Sequence, residues 1–328
     1  MKITVRIAML IGAAVMIALI VREGAANITL LLSQAGLVLL WLVPLHVLPL
    51  LLDVLGWRVL VPGRQRLSAL LWIASVREAI NRLLPVANIG GEIVGIRLLA
   101  LTGVGATAAA ASVVVETLLT LVSQYLFVAL GLVGLLSVTG SVGLSHGMLL
   151  GLLAGLPVIA VVVIAVRHGS LFERLHRFAE RLLDAEQRRA MVATGADLDA
   201  AIHHLCSHYG ALARATTWQL AGLVVGCLET WFALRWLGSP VSFAEALVLE
   251  SLTQAARNFI FMVPAGLGVQ EAGLLGIGHV LGLPSDVALA LSLAKRMREI
   301  LFGVPALIAW QWLEGRRGLQ HARSRSGY

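Results

Sequence analysis

The chain has 328 residues, of which 59% are hydrophobic and 13% charged, and its mean hydropathy is +0.89. A soluble domain carries roughly 25% charged residues, so this composition excludes a soluble globular protein and indicates an integral membrane protein. The net charge of +7 does not imply nucleic acid as a partner. The arginines cluster in short connections, as in loops held at an anionic cytoplasmic surface.

The N-terminus carries Lys2 and Arg6 and then an apolar run to Val21. It reads as an uncleaved first span, because Arg22 and Glu23 would sit awkwardly before a cleavage site near Ala26. Further segments long and apolar enough to cross are 36–57, 106–136, 147–166, 216–237 and 286–312, giving about six full spans. The 137–146 and 238–242 connections lack Lys and Arg, whereas Arg58, Arg64 and Arg66 follow the second span. The 167–213 loop holds Arg167, Arg174, Arg177, Arg181, Arg188 and Arg189, and the tail holds Arg316, Arg317, Arg323 and Arg325. This bias puts the N-terminus, the 58–66 connection, the 167–213 loop and the C-terminal tail on the cytoplasmic side. Within the loop, Leu171, Phe172, Leu175, Phe178, Leu182 and Leu183 alternate with arginines, as in a helix lying on the leaflet.

Two apolar stretches, 64–103 and 240–285, are broken in the middle by proline and glycine and must each begin and end on one side. In the first, Arg66–Leu84 reads as an amphipathic helix, Pro85–Glu92 as the break, and the following residues to Leu101 as a short return helix. In the second, Phe243–Met262, Pro264–Glu271 and Ala272–Leu281 play the same parts. The expected fold is therefore all-α: a single polytopic membrane domain over 1–328, with about six spans plus two helical hairpins. An offset of 179 residues relates Pro85 to Pro264, Glu92 to Glu271, Gly103 to Gly282 and Glu116 to Lys295. Repeat 1 covers 36–136 and repeat 2 covers 216–312. One hairpin opens from each face, so the repeats are inverted, an arrangement that supports alternating access.

A charge at the bilayer centre costs about 2.5–3.5 kcal/mol on insertion scales, so ionisable residues in apolar stretches require a reason. The substrate-binding candidates are Asn88, Gly90, Gly91, Glu92, Glu116, Gly268, Glu271, Lys295, Arg298 and Glu299. Carboxylates suit hydroxyls or amines, cations suit anionic groups, and Asn88 with Gly90 and Gly91 could turn backbone amides into a cavity. The bland alternative is an internal ion-pair network that glues helices together. Arg77, Glu78 and Arg82 read either as a cytoplasmic entrance or as a solvated face. His203, His204 and His208 lack an acidic or cysteine partner, and Cys206 and Cys227 are too few for a disulfide framework, so no metal, cofactor or disulfide is expected.

The run V-R-E-A-I-N-R-L-L-P-V-A-N-I-G-G-E-I-V-G-I-R-L-L from Val76 to Leu99, with the Pro264–Glu271 segment and the Lys295–Glu299 cluster, resembles the transmembrane domain of lysylphosphatidylglycerol synthase/flippase proteins. More narrowly it resembles their HpnL branch, associated with hopanoid biosynthesis. The resemblance implies a multi-pass lipid translocase of the bacterial inner membrane whose substrate is a hopanoid or phospholipid. It does not extend to the soluble aminoacyl-transferase domain, so that catalysis is not carried over, and no catalytic constellation marks an enzyme. The alternatives are a membrane enzyme, or a scaffold subunit in a hopanoid-modification complex. Other partners open to such a chain are a second copy in a homodimer and lipid-synthesis proteins.

Overall fold

The computed structural model describes residues 21, 25–84, 90–139, 153, 197–259 and 268–325, and among these the secondary structure is helical throughout. The expected first span, the 171–183 helix and the hairpin tips at 85–89 and 260–267 lie outside the described residues, as does 147–166 apart from Leu153. The elements are α1 (Ala25–Ala35), a 3-10 segment (Gly36–Trp41), α2 (Leu42–Leu60), α3 (Leu67–Leu83), α4 (Gly90–Ala100) and α5 (Ala106–Thr139). After a helical stretch at 197–207 come α6 (Tyr209–Trp236), α7 (Phe243–Phe259), α8 (Val269–Val280) and α9 (Ser285–Arg325). The protein is thus an all-α polytopic membrane protein.

Among the described residues three stretches are long and apolar enough to cross a membrane: Ala26–Leu60, Ala106–Val138 and Tyr209–Trp236. The first starts ten residues earlier than the sequence suggests, because α1 leads straight into the 3-10 segment. Gly36, with φ +57°, makes that junction, in a left-handed conformation that favours glycine. The expected 286–312 span falls inside α9, but composition alone does not mark α9 as a crossing helix. Its Lys295, Arg298 and Glu299 are instead buried inside the protein.

The two halves repeat one order: long helix, hairpin arm, break, return arm, long helix. Gly103 and Gly282, 179 residues apart, both take positive φ, +95° and +75°, at the turn from return arm to long helix. Contacts between the halves are reciprocal. The first long helices, α2 and α6, pack on each other, arm α3 packs on α9, and arm α7 packs on α5. Each hairpin arm therefore leans on the other half's last helix, the pattern of a self-complementary two-fold contact. Two apolar cores follow this division. One gathers α2–α5 with Phe302, Ala306 and Trp310 of α9. The other gathers α6–α9 with Ile28 of α1 and Leu39 of the 3-10 segment.

In lipid, helices associate by close packing rather than by the hydrophobic effect, which favours small residues where they cross. Glycines serve every reciprocal contact here. A Cβ on Gly56 of α2 would lie 2.9 Å from Ala215 O of α6, and one on Gly222 of α6 would lie 3.0 Å from Pro49 O of α2. Gly303 of α9 faces Leu83 of α3 in the same way, with 2.7 Å to Cδ1, and Gly131 of α5 faces Ser251 of α7. Gly56→Val and Gly222→Val should therefore force α2 and α6 apart, each costing roughly 1–3 kcal/mol. Gly276→Ala on α8, where nothing lies within 4 Å, should be neutral or slightly stabilising. Thermal unfolding of the three variants in detergent checks this ordering.

Candidate functional site

A cavity of about 640 Å³ lies between the halves, lined by α2, α3, α5, α6, α7 and α9, with Glu92 reaching it from α4. Its wall on α5 is a polar stripe in an otherwise apolar helix: Glu116, Thr117, Thr120, Ser123 and Gln124 recur at helical spacing. Gln219 of α6 meets that stripe. Its Nε2 donates to Thr120 Oγ1 at 2.9 Å and to Glu116 O at 3.3 Å, and its Oε1 accepts from Ser123 Oγ at 3.2 Å. Farther along, Asn258 of α7 donates to Gln124 Oε1 at 2.9 Å.

Arg77 is the charged hub of the first half, although sequence leaves it between an entrance residue and a solvated face. It is only 7% exposed. Its guanidinium donates to Glu116 Oε2 at 2.7 Å and to Glu92, and lies 4.8 Å from the Trp57 ring centroid. Three elements, α3, α4 and α5, thereby converge on one cation. The glycines of α4 make room for it: a Cβ on Gly95 would come within 2.8 Å of Arg77 Cγ, and one on Gly91 would strike the Arg77 carbonyl. Gly91 N–H donates to Asn81 Oδ1 at 2.9 Å. Gly91 and Gly95 therefore serve the closeness of α3 and α4, and the Gly91 amide is spent on Asn81 rather than pointed into the cavity. Asn88 lies outside the described residues.

The second half bridges the same pair of elements with the charges exchanged. Glu250 on arm α7 accepts from Lys295 on long helix α9 and from Thr230, where the first half sets Arg77 against Glu116. Glu271 differs from its counterpart Glu92. It is fully buried and does not line the cavity. Its Oε2 accepts from Gly268 N–H at 2.7 Å, capping α8, while Oε1 accepts from Ser292 Oγ at 2.9 Å and Arg296 Nε at 3.4 Å. Gly268 holds φ +77° at that cap, which is why glycine stands there. The two glutamates thus do not share the cavity. Glu92 faces it beside Arg77, and Glu271 stands behind the wall.

A second cluster joins the halves. His46 of α2 lies 2.9 Å from Glu78 of α3 and 2.9 Å from Glu229 of α6. Arg298 of α9 contacts the same ring and lies 3.2 Å from Glu229 Oε2 and 3.8 Å from Glu299. Glu299 also pairs with Arg296 at 3.3 Å and Arg82 at 3.9 Å. Of the candidates, then, Glu92, Glu116, Lys295, Arg298 and Glu299 gather at one cavity. Sequence reasoning does not single out His46 or Asp53, both inside the 36–57 span. The criterion applied elsewhere, an ionisable side chain in an apolar span, picks both.

The family described as lysylphosphatidylglycerol synthase TM region matches residues 5–306. No curated protein and no solved structure matches the chain.

Removing the shared cation of a buried ion network leaves its carboxylates uncompensated, at a cost of about 3–5 kcal/mol. Arg77→Met should therefore destabilise severely, leaving Glu92 and Glu116 without their cation. Adding Glu92→Gln and Glu116→Gln should recover most of the loss. Melting temperatures of the single and triple variants check this, and equal instability of the two would show that packing against Trp57, not charge, is what Arg77 supplies.

Proposed function

This chain belongs to the lysylphosphatidylglycerol synthase transmembrane-region family, and we propose that it moves a lipid across the bacterial inner membrane without altering it. The observation that carries this reading is the cavity between the halves. An otherwise apolar protein assembles there hydroxyl, amide and charged side chains around about 640 Å³, a size within the usual range for a ligand site. A lipid head group placed there exchanges water for these donors and acceptors while its tails remain outside, among the apolar helix faces.

The reading specifies a cycle. The halves are inverted repeats about an axis in the membrane plane, and each hairpin, leaning on the opposite half, closes the cavity to one face in turn. The arginine bias of the loops sets both termini in the cytoplasm. The substrate is a hopanoid polyol or a related lipid. The Thr117, Thr120, Ser123 and Gln124 stripe offers hydroxyl and amide partners to a polyol, and Glu92 accepts from its hydroxyls.

Glu92→Gln should slow leaflet exchange of a labelled hopanoid polyol in vesicles by about tenfold. Its melting temperature should fall little, because Arg77 keeps Glu116. Glu271→Gln should show the opposite balance: it weakens the α8 cap and the partnership with Arg296, so unfolding in detergent should come at a clearly lower temperature. Normal exchange by Glu92→Gln with a sharply lowered melting temperature would make the cavity charges structural and defeat the reading. Exchange of labelled phosphatidylglycerol but not of the polyol would reassign the substrate.

A further inference from the structure

His46 stands where α2, α3, α6 and α9 meet, and among the described residues it is the one histidine lining the cavity. Imidazole is the side chain whose ordinary titration falls within roughly pH 5–8. Its Nε2 lies 2.9 Å from Glu78 Oε2 and its Nδ1 lies 2.9 Å from Glu229 Oε1, while the Arg298 guanidinium contacts the same Nδ1. These contacts cannot all be hydrogen bonds at once. Arginine only donates, so Arg298 needs Nδ1 as an acceptor, which a neutral ring protonated at Nε2 supplies. Ionised Glu229 only accepts, so it needs Nδ1–H, which together with Nε2–H to Glu78 makes the ring doubly protonated. One proton therefore decides whether α2 is bonded to α6 through Glu229 or to α9 through Arg298.

The ring also borders a second space. A void of about 10 Å³, room for roughly one water, is walled by His46, Glu78, Arg82, Arg298, Glu299 and Phe302. His46 thus borders both the large cavity and an adjoining water-sized void. The charged groups around it are Glu78 and Arg82 from α3, Glu229 from α6, and Arg298 and Glu299 from α9. Asp53 lies two turns along its own helix, and Glu116 of α5 is engaged by Arg77. Phe302 sets its ring edge-on to the imidazole at 5.0 Å between centroids.

We infer that His46 is a proton-binding site that couples lipid movement to a proton gradient. It takes up one proton from one compartment and releases it to the other as its Nδ1 passes from Arg298 to Glu229 and back. The coupling rests on the transport reading above; the proton site does not.

Two measurements separate them. In detergent-purified protein with ¹⁵N-labelled histidine, one of the nine histidines is His46, identified as the signal missing from His46→Gln or, should that variant not fold, from His46→Asn. It should pass from a neutral, Nε2-protonated ring to a doubly protonated one as the pH is lowered. The second uses vesicles of phosphatidylethanolamine and phosphatidylglycerol, with a labelled hopanoid polyol and a pH dye inside. There, reversing an imposed pH gradient should change wild-type exchange roughly tenfold, and exchange should carry protons with it. Whatever exchange remains in His46→Gln should ignore the gradient. A ring that keeps one protonation state, wild-type exchange indifferent to the gradient, or a gradient response surviving in the variant overturns the inference. If the wild type moves no lipid, the transport reading falls and the coupling with it, and the ring titration then decides the proton site on its own.

Discussion

A charge buried in an apolar layer must be neutralised by partners, and here those partners sit on different helices. That constraint organises the protein. Arg77 draws α3, α4 and α5 together through Glu92 and Glu116. Lys295 and Glu250 tie α9 to α7. The cluster of His46, Glu78, Glu229 and Arg298 ties the first half to the second. Buried ion pairs contribute little net stability, since desolvation offsets most of the Coulombic gain. Their value lies in specifying which helix faces meet, while glycine contacts such as Gly56 with Ala215 supply the close packing.

Each half bridges a hairpin arm and a long helix by an ion pair, with the charges exchanged between the halves. Either sign can sit on the hairpin arm provided its opposite sits on the long helix, so Arg77 with Glu116 and Glu250 with Lys295 bridge equivalent elements. What each element does with its glutamate depends on a neighbour. At the start of α4, Asn81 of α3 takes the Gly91 amide and also donates to Glu92 Oε1 at 3.3 Å, which holds Glu92 beside Arg77 at the cavity. Glu271 turns back to Gly268 instead.

Much of the fold is legible in the sequence because its signals are local. Pro85 and Pro264 mark breaks whose flanking helices form where expected, and Gly103 with Gly282 mark turns that require positive φ. Apolar length gives 106–136 nearly to its ends and the close of 216–237, whose helix begins earlier, at Tyr209. The site is less legible, because partnership is not local. The 179-residue register pairs Glu92 with Glu271 but cannot say that one is turned to a cavity and the other to its own helix end. Nor can it choose Arg77 as a hub over Arg82, one turn away, since burial of that position depends on Gly95 and Trp57 from other elements. The charges of α9 keep its composition from marking a crossing helix, and the pairing of Arg298 with Glu229 and of Lys295 with Glu250 satisfies them inside the protein.

The central claim is that one polar cavity opens to each face of the membrane in turn. Thr117 lines it, is exposed, and bonds only the Val113 carbonyl of its own helix, so cysteine fits there without disturbing the network. In a protein lacking Cys206 and Cys227 and reconstituted in sealed vesicles, Thr117→Cys should react with a membrane-impermeant thiol reagent added from either side. Reaction from one side only, however long the exposure, would contradict the account.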